Sequence, residues 1–172
     1  SRNHLFVRDI NGDGKAEVVS EINGFWNRIT VWDLEGKALY NAPIGPGKRI
    51  PYRTVRSLVV GDLDGDGKQE IAAAIDSGLV TVLDCTLARK WSVSVPSTPN
   101  LLHASAAKQG RDGSLLVACD QGQVILLDSK GNRRAHAQVS GRPVVVDAWS
   151  HEGCPVTVLG THSGNVVLFD QR

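Results

Sequence analysis

An internal repeat constrains the fold of this chain more than any other feature of its sequence. Each copy contains a short apolar stretch that leads into an aspartate, and an acidic residue followed by glycine precedes that stretch. The closing aspartates, at intervals of 51, 44 and 42 residues, are Asp33, Asp84, Asp128 and Asp170. The acidic-glycine pairs are Asp13-Gly14, Asp66-Gly67, Asp112-Gly113 and Glu152-Gly153. Because two separate landmarks recur with nearly the same period, the chain consists of four copies of one structural unit.

Every segment of this unit has the pattern of a β-strand. In the second copy, apolar or alternating stretches cover residues 56–61, 70–75, 79–83 and 89–95, and Gly/Asp-rich turns separate them. Four antiparallel strands in a repeat of this length are typical of one blade of a β-propeller. A β-sandwich or a β-prism is the alternative, but a sandwich has no reason to repeat its landmarks four times.

The fourth copy ends directly after its third strand. We therefore predict an all-β chain, a β-propeller of four repeats of four antiparallel strands with the last strand missing. It forms a single propeller segment over residues 1–172, with blades at about 3–42, 55–95, 101–139 and 142–170. Natural proteins avoid open sheet edges. The missing strand favours a sector of a larger propeller over a four-bladed ring that is closed by a strand from elsewhere.

The composition excludes several classes of protein. Hydrophobic residues make up 41% of the chain and the net charge is +1, which excludes a disordered chain and a nucleic-acid binder that acts through bulk charge. No uncharged stretch is long enough to predict a membrane span. The chain has no methionine, so we expect a processed chain, an excised domain or a fragment. It has three cysteines, and we expect no disulfide within the chain.

Two acidic loops between the first and second strands of repeats one and two carry the strongest chemical signal. Oxygen-bearing side chains fall at positions 1, 3, 5 and 9, glycine falls at position 6, and the residue at position 7 can offer its carbonyl. Calcium takes 6–8 oxygen ligands, so this pattern predicts two Ca²⁺ sites. The predicted ligands are Asp9, Asn11, Asp13, Lys15 and Glu17 in the first loop, and Asp62, Asp64, Asp66, Lys68 and Glu70 in the second.

The alternatives fit these loops less well. An EF-hand needs a glutamate at position 12, where Ser20 and Ala73 stand. Magnesium demands octahedral geometry and keeps its waters. A metal-free Asp/Gly turn would leave several carboxylates repelling one another. Repeats three and four serve as internal controls because they lack the ligands; the equivalent residues are Lys108, Gly110 and Leu116 in the third and Ala148, Ser150 and Val156 in the fourth.

Two known families are similar to parts of this sequence. The loops that run from Asp9 to Glu17 and from Asp62 to Glu70, each leading into a β-strand, resemble the FG-GAP/VCBS repeats of integrin α-subunits, secreted adhesins and bacterial surface proteins. In that family the equivalent loops bind calcium, which implies the same ligands here. The glycine-to-aspartate stretches of the later blades, such as residues 122–128, resemble quinoprotein-type (PQQ-like) propeller repeats. Neither resemblance implies an enzyme activity.

Two longer connections at the opposite ends of the strands form a candidate partner-binding face. One joins strands two and three of the first blade, and the other joins the first blade to the second. Aromatic residues together with arginine are enriched in binding hot spots. The candidate residues are Phe25, Trp26, Arg28, Lys48, Arg49, Tyr52 and Arg53. The alternative is that the aromatic side chains cover apolar parts of the connector.

Taken together, these features predict a calcium-stabilised propeller module that binds or scaffolds a protein or carbohydrate partner and is not itself catalytic. No pair of the five histidines has the spacing of metal ligands. The alternative is the propeller part of a secreted polysaccharide lyase or of a quinoprotein-like enzyme. A homodimer or further blades of the same protein would close the ring. Because extracellular calcium is millimolar, we expect an extracellular, periplasmic or cell-surface location.

Overall fold

The computed structural model describes residues 4–23, 28–44, 54–108, 112–151 and 154–170, which form four antiparallel sheets. The first sheet contains β1 (Leu5–Arg8), β2 (Glu17–Ile22), β3 (Arg28–Trp32) and β4 (Ala38–Pro43). The second contains β5 (Val55–Gly61), β6 (Glu70–Ile75), β7 (Leu79–Leu83) and β8 (Arg89–Ser94). The third contains β9 (Pro99–Ser105), β10 (Ser114–Cys119), β11 (Gln123–Asp128) and β12 (Arg133–Gln138). The fourth contains β13 (Pro143–His151), β14 (Cys154–Thr161) and β15 (Val166–Asp170).

Each sheet is a meander in which strands that follow one another along the chain pair with one another. The first three sheets have four strands, and the fourth has three and ends at β15. These observations confirm the predicted propeller of four repeats with an incomplete last one. The four strands predicted for the second repeat are also confirmed, with differences of one residue at two of their ends.

Successive side chains of a middle strand point to opposite faces of its sheet, so the core consists of layers that lie between neighbouring sheets. In β6, Ile71, Ala73 and Ile75 pack in a cluster with the first sheet, whereas Ala72 and Ala74 pack in a cluster with the third. Residues 71–75 of β6 are all buried for this reason. A strand that is buried on both faces needs apolar side chains on both, and this explains why β6 shows no polar-apolar alternation after Glu70.

The two outer flanks of the array, one on the first sheet and one on the fourth, are less well covered. On the first sheet, Leu5 and Val7 are 66% and 54% exposed. On the fourth sheet, Val166 and Leu168 are 67% and 61% exposed, while Val167, which lies between them, packs on the third sheet. Each flank therefore presents an apolar surface of the kind that the inner sheets bury against a neighbour.

Two further expectations concern membranes and cysteines. The described part of the chain contains no helix with the length and apolar character needed to cross a membrane. Cys85 and Cys119 are buried free thiols, and burial raises the pKa of both. Cys154 begins β14, but its side chain lies outside the described part of the structure.

Candidate metal centre

The two acidic loops occupy equivalent places in the first and second sheets. The first loop joins β1 to β2, begins at Asp9 and ends at Glu17, the first residue of β2. The second loop joins β5 to β6, begins at Asp62 and ends at Glu70, the first residue of β6. Each loop lies between two strands of known register, so its first and last carboxylates are brought to the same end of one sheet.

The first aspartate of each loop organises the turn by accepting two backbone hydrogen bonds. The N–H groups of Gly12 and Gly14 donate to Asp9 at N···O distances of 2.7 and 2.8 Å. In the second loop, the N–H groups of Gly65 and Gly67 donate to Asp62 at N···O distances of 2.6 and 3.1 Å. The bond from Gly14 contributes most to holding the pKa of Asp9 below its ordinary value. The loop backbone therefore curls around this carboxylate.

Glycine is required at these positions because the backbone adopts positive φ angles. The φ values are +79° and +85° for Gly12 and Gly14, and +80° and +86° for Gly65 and Gly67. Residues with a Cβ disfavour this region by roughly 1–2 kcal/mol. The two glycines of each loop therefore permit the tight coil that lets alternate side chains converge.

A buried glutamate closes each loop. Glu17 and Glu70 are 4% and 3% exposed, and each accepts a hydrogen bond from the backbone N–H that follows the first aspartate. Ile10 donates to Glu17 at 3.0 Å, and Leu63 donates to Glu70 at 2.8 Å. Burial is the main reason why the pKa of Glu70 is raised above its ordinary value. Burial disfavours the ionised form of a carboxylate, and a nearby positive charge or hydrogen bonds from N–H groups offset that cost.

In the second loop, Lys90 provides a nearby positive charge. Its ammonium donates to Asp64 and, at 2.9 Å, to Glu70. The hydrogen bond from Lys90 is the main cause of the lowered pKa of Asp64. Burial of the ammonium opposes its ionisation, but its bonds to the two carboxylates raise the pKa of Lys90 overall. Sequence reasoning missed this residue, which lies twenty positions beyond the loop on β8.

The first loop has an amide in place of this ion pair. Asn11, which is equivalent to Asp64, donates through Nδ2 to Asp13 at 3.2 Å and to Glu17 at 3.4 Å. Within the described ranges, no lysine or arginine forms an ion pair with Asp9, Asp13 or Glu17. The carboxylates of the first loop are thus balanced by dipoles alone.

The second loop brings together carboxylates that could hold a metal ion. Asp62, Asp64 and Glu70 each place an oxygen within 4.8 Å of the others. Hard oxygen donors of this type suit Ca²⁺. The other two predicted ligands of this loop, Asp66 and Lys68, are joined by a bond from the Lys68 N–H to Asp66 at 2.8 Å. The predicted ligands of the first loop do not form such a cluster of three carboxylates in the described structure.

Both loops also connect neighbouring sheets through backbone hydrogen bonds. The N–H of Gln69 in the second loop donates to the carbonyl of Ile10 in the first loop at 2.8 Å. The carbonyl of Asp62 accepts from Ala107 at 2.7 Å, and the carbonyl of Leu63 accepts from Gly113 at 2.9 Å. Fixing the shape of either loop therefore fixes how one sheet sits against the next.

The third and fourth repeats show what replaces the loop. In the fourth sheet β13 continues to His151 and β14 begins at Cys154, so Ala148, Ser150 and Val156 are paired within strands. In the third repeat Leu116 lies within β10, while Gly110 falls outside the described residues. The acidic loop is thus a feature of particular blades.

Most of the candidate partner-binding face lies outside the described residues, namely Phe25, Trp26, Lys48, Arg49, Tyr52 and Arg53. Arg28 is the exception and begins β3, where its Nε donates to Asn41 at 2.7 Å. Arg28 is therefore engaged with the neighbouring strand of its own sheet.

The sequence comparison matches one segment of the chain to a known family. The family model for an FG-GAP-like repeat matches residues 9–73, a segment that contains both acidic loops. No curated protein sequence matches the chain.

Solved structures that share the fold are β-propeller proteins. BBS1N, crystallised in complex with ARL6DN, has a TM-score of 0.72 and 12% identity over 99% of this chain and 54% of its own length. Raptor from Chaetomium thermophilum has a TM-score of 0.72 and 20% identity, over 99% of this chain and 15% of its own. BamB from Moraxella catarrhalis has a TM-score of 0.62 and 13% identity, over 99% of this chain and 48% of its own.

These similarities define the class of protein to which the chain is assigned. It is a β-propeller chain in which residues 9–73 match the model of an FG-GAP-like repeat. The chain spans about half the length or less of these solved structures. At these identities the likeness shows the fold alone.

Proposed function

We propose that this chain is a calcium-stabilised β-propeller module that binds or scaffolds a protein or carbohydrate partner without catalysing a reaction. The observation that carries the proposal is the convergence of Asp62, Asp64 and Glu70 in a loop that is bonded to both neighbouring repeats. Calcium would neutralise these carboxylates and fix the loop. It would therefore act on the stability of the blades.

Two sites are proposed, one in each acidic loop. The second loop would use Asp62, Asp64, Asp66, Glu70 and the Lys68 carbonyl. The first would use the equivalent residues, which are Asp9, Asn11, Asp13, Glu17 and the Lys15 carbonyl. Loops of modest affinity remain filled where calcium is millimolar, and this supports an extracellular, periplasmic or cell-surface location.

The exposed flanks support the scaffolding part of the proposal. Val7 on the first sheet and Leu168 on the fourth expose apolar area at positions where the inner sheets bury theirs. Burial of apolar surface is the dominant favourable term in most protein–protein association. Further blades of the same protein or a second copy of the chain would cover both flanks and close the ring.

Thermal unfolding in calcium, in magnesium and in EDTA tests the calcium function. A ligand at about 100 times its Kd that binds only the folded state adds about 2.7 kcal/mol, and for a chain of this length that raises Tm by roughly 5–10 °C. We expect this shift in calcium and a much smaller one in magnesium. Asp66→Asn, which keeps an oxygen to accept the Lys68 N–H, is the matched variant and should reduce the shift.

Equal midpoints in calcium and EDTA would contradict the calcium function. Light scattering on the same samples tests the ring closure, because a second copy that covers the flanks would double the mass. A monomeric mass would exclude the second copy, and further blades of the same protein would then be proposed to cover the flanks.

A further inference from the structure

The ammonium of Lys90 lies against two of the three carboxylates that converge in the second loop. It bonds to Asp64 and Glu70, and its side chain is 29% exposed. Lys90 comes from β8, the outer strand of the same sheet, and not from the loop itself. The positive charge in the loop is therefore supplied by a side chain of the protein itself.

Strand register explains how Lys90 reaches the loop. Trp91 pairs with Val82 and Arg89 pairs with Leu83, so Lys90 is the extra residue of a β-bulge. A bulge redirects the side chain of its extra residue. The first and third sheets have a bulge at the same place, where the extra residues are Leu39 and Arg134. The first loop therefore has an aliphatic residue where the second has an ammonium.

A calcium ion and this ammonium would use the same oxygens. Calcium needs 6–8 oxygen ligands, and the second loop cannot supply them while Asp64 and Glu70 are bonded to Lys90. Two positive charges a few ångströms apart also repel each other in a partly buried site. One of the two must leave.

We propose that Lys90 is the resident counter-ion of the second loop and that calcium must displace it to bind there. This inference rests on the proposed calcium function. It makes the two loops unequal. The second loop is held in shape by its own lysine when calcium is scarce and binds calcium more weakly than its carboxylates alone would. The first loop depends on calcium to neutralise its carboxylates.

A calcium titration followed by ¹H–¹⁵N spectra separates the two loops within one protein. The amides of Gly12 and Gly14 report the first loop, and those of Gly65 and Gly67 report the second, because each donates to the first aspartate of its loop. Lys90→Leu gives the second sheet the residue that the first sheet has. We expect it to lower the Kd of the second loop on the order of tenfold and to leave the first loop unchanged.

Leu39→Lys is the reciprocal variant and should raise the Kd of the first loop. An unchanged Kd at the second loop of Lys90→Leu would overturn the inference while leaving the calcium function intact. If neither loop of the wild-type chain responds to calcium, the calcium function fails and the inference fails with it. If Lys90→Leu does not fold in calcium or EDTA, Leu39→Lys decides, and an unchanged first loop in that variant overturns the inference.

Discussion

The two acidic loops share a backbone design and differ in what balances their charge. In both, two glycine amides donate to the first aspartate and a buried glutamate accepts the next backbone N–H. The second loop then has Asp64 and an ammonium where the first has Asn11 and Leu39. The negative charge of the same turn can thus be offset by a lysine, as in the second loop, or by an amide, as in the first. Only the lysine places a full positive charge in the site.

The loops also differ in what they contact. The second loop bonds to residues of the third repeat through the carbonyls of Asp62 and Leu63. The first loop is bonded through Ile10 to the second loop. The second loop thus lies between two neighbours and links the first and third repeats. A change in its shape should therefore cost more stability than the same change in the first loop.

Removing the closing glutamates gives the largest expected effect. In EDTA, Glu17→Ala leaves the buried N–H of Ile10 without an acceptor, which costs about 1–3 kcal/mol. Glu70→Ala does the same to Leu63 and also deprives Lys90 of a partner, so we expect a loss larger by about 1 kcal/mol. Urea unfolding of the two variants measures the difference.

The matched control is Glu17→Gln, which keeps an oxygen for the Ile10 N–H and should retain most of the stability. Relief of repulsion from Asp9 and Asp13 also softens the loss in Glu17→Ala, because the first loop has no ion pair among the described residues. Equal losses in the two alanine variants would mean that Lys90 adds nothing to the second loop.

Substituting alanine for the first glycine of each loop should cost less stability, and the comparison tests the contacts between the second loop and the third repeat. Gly12 and Gly65 have nearly equal φ angles, so both substitutions carry a similar strain of roughly 1–2 kcal/mol. A Cβ at Gly65 would lie 3.3 Å from the Cβ of Ala107, whereas one at Gly12 would lie 3.7 Å from the carbonyl oxygen of Gly67. We expect Gly65→Ala to be the more destabilising variant by about 1 kcal/mol in urea unfolding.

Gly14→Ala and Gly67→Ala are the controls for this comparison. Their φ angles differ by one degree, and a Cβ at either position meets no atom within 4 Å. These two variants should therefore lose equal stability. A difference between them as large as that between Gly12→Ala and Gly65→Ala would show that contact with the third repeat is not the cause.

The repeat and the turns of this fold could be predicted because they depend on residues that are close in sequence. Asp13-Gly14 and Asp66-Gly67 mark loops in which an acidic side chain and a positive φ angle are both needed, and the strands that follow them are confirmed. The three strands of the last sheet were also predicted, because only three strand patterns occur in the fourth repeat. Local chemistry was sufficient for these features.

Lys90 could not be predicted because its position depends on strand register. A bulge shifts the pairing between Val82 and Leu83, and nothing in the local sequence marks that shift. Aligning the fourth strands of the first three repeats would place Leu39, Lys90 and Arg134 together, and this is the one signal that could have drawn attention to it. The bonds from Ala107 and Gly113 to the second loop likewise depend on how two sheets pack.

The smallest expected effect is a pH dependence that belongs to the second loop. The hydrogen bond from Lys90 lowers the pKa of Asp64 below 3.8, so the ionised carboxylate stabilises the folded chain above that pH. This stability is lost as the pH falls through the folded pKa. Burial raises the pKa of Glu70, which therefore takes up its proton at a higher pH than Asp64 does. Once both are neutral, Lys90 has no anionic partner in the loop.

We therefore expect the unfolding free energy of the wild type to exceed that of Lys90→Leu in EDTA at neutral pH, by about 1 kcal/mol or less. The gap should shrink as the pH falls through the folded pKa of Asp64, which lies below 3.8, because protonation removes the interaction that the variant already lacks. Leu39→Lys supplies the comparison at the first loop, where an added ammonium should open a gap of the opposite sign at neutral pH. A gap between the wild type and Lys90→Leu that does not change with pH would mean that Lys90 stabilises the sheet through its aliphatic stem and not through its charge.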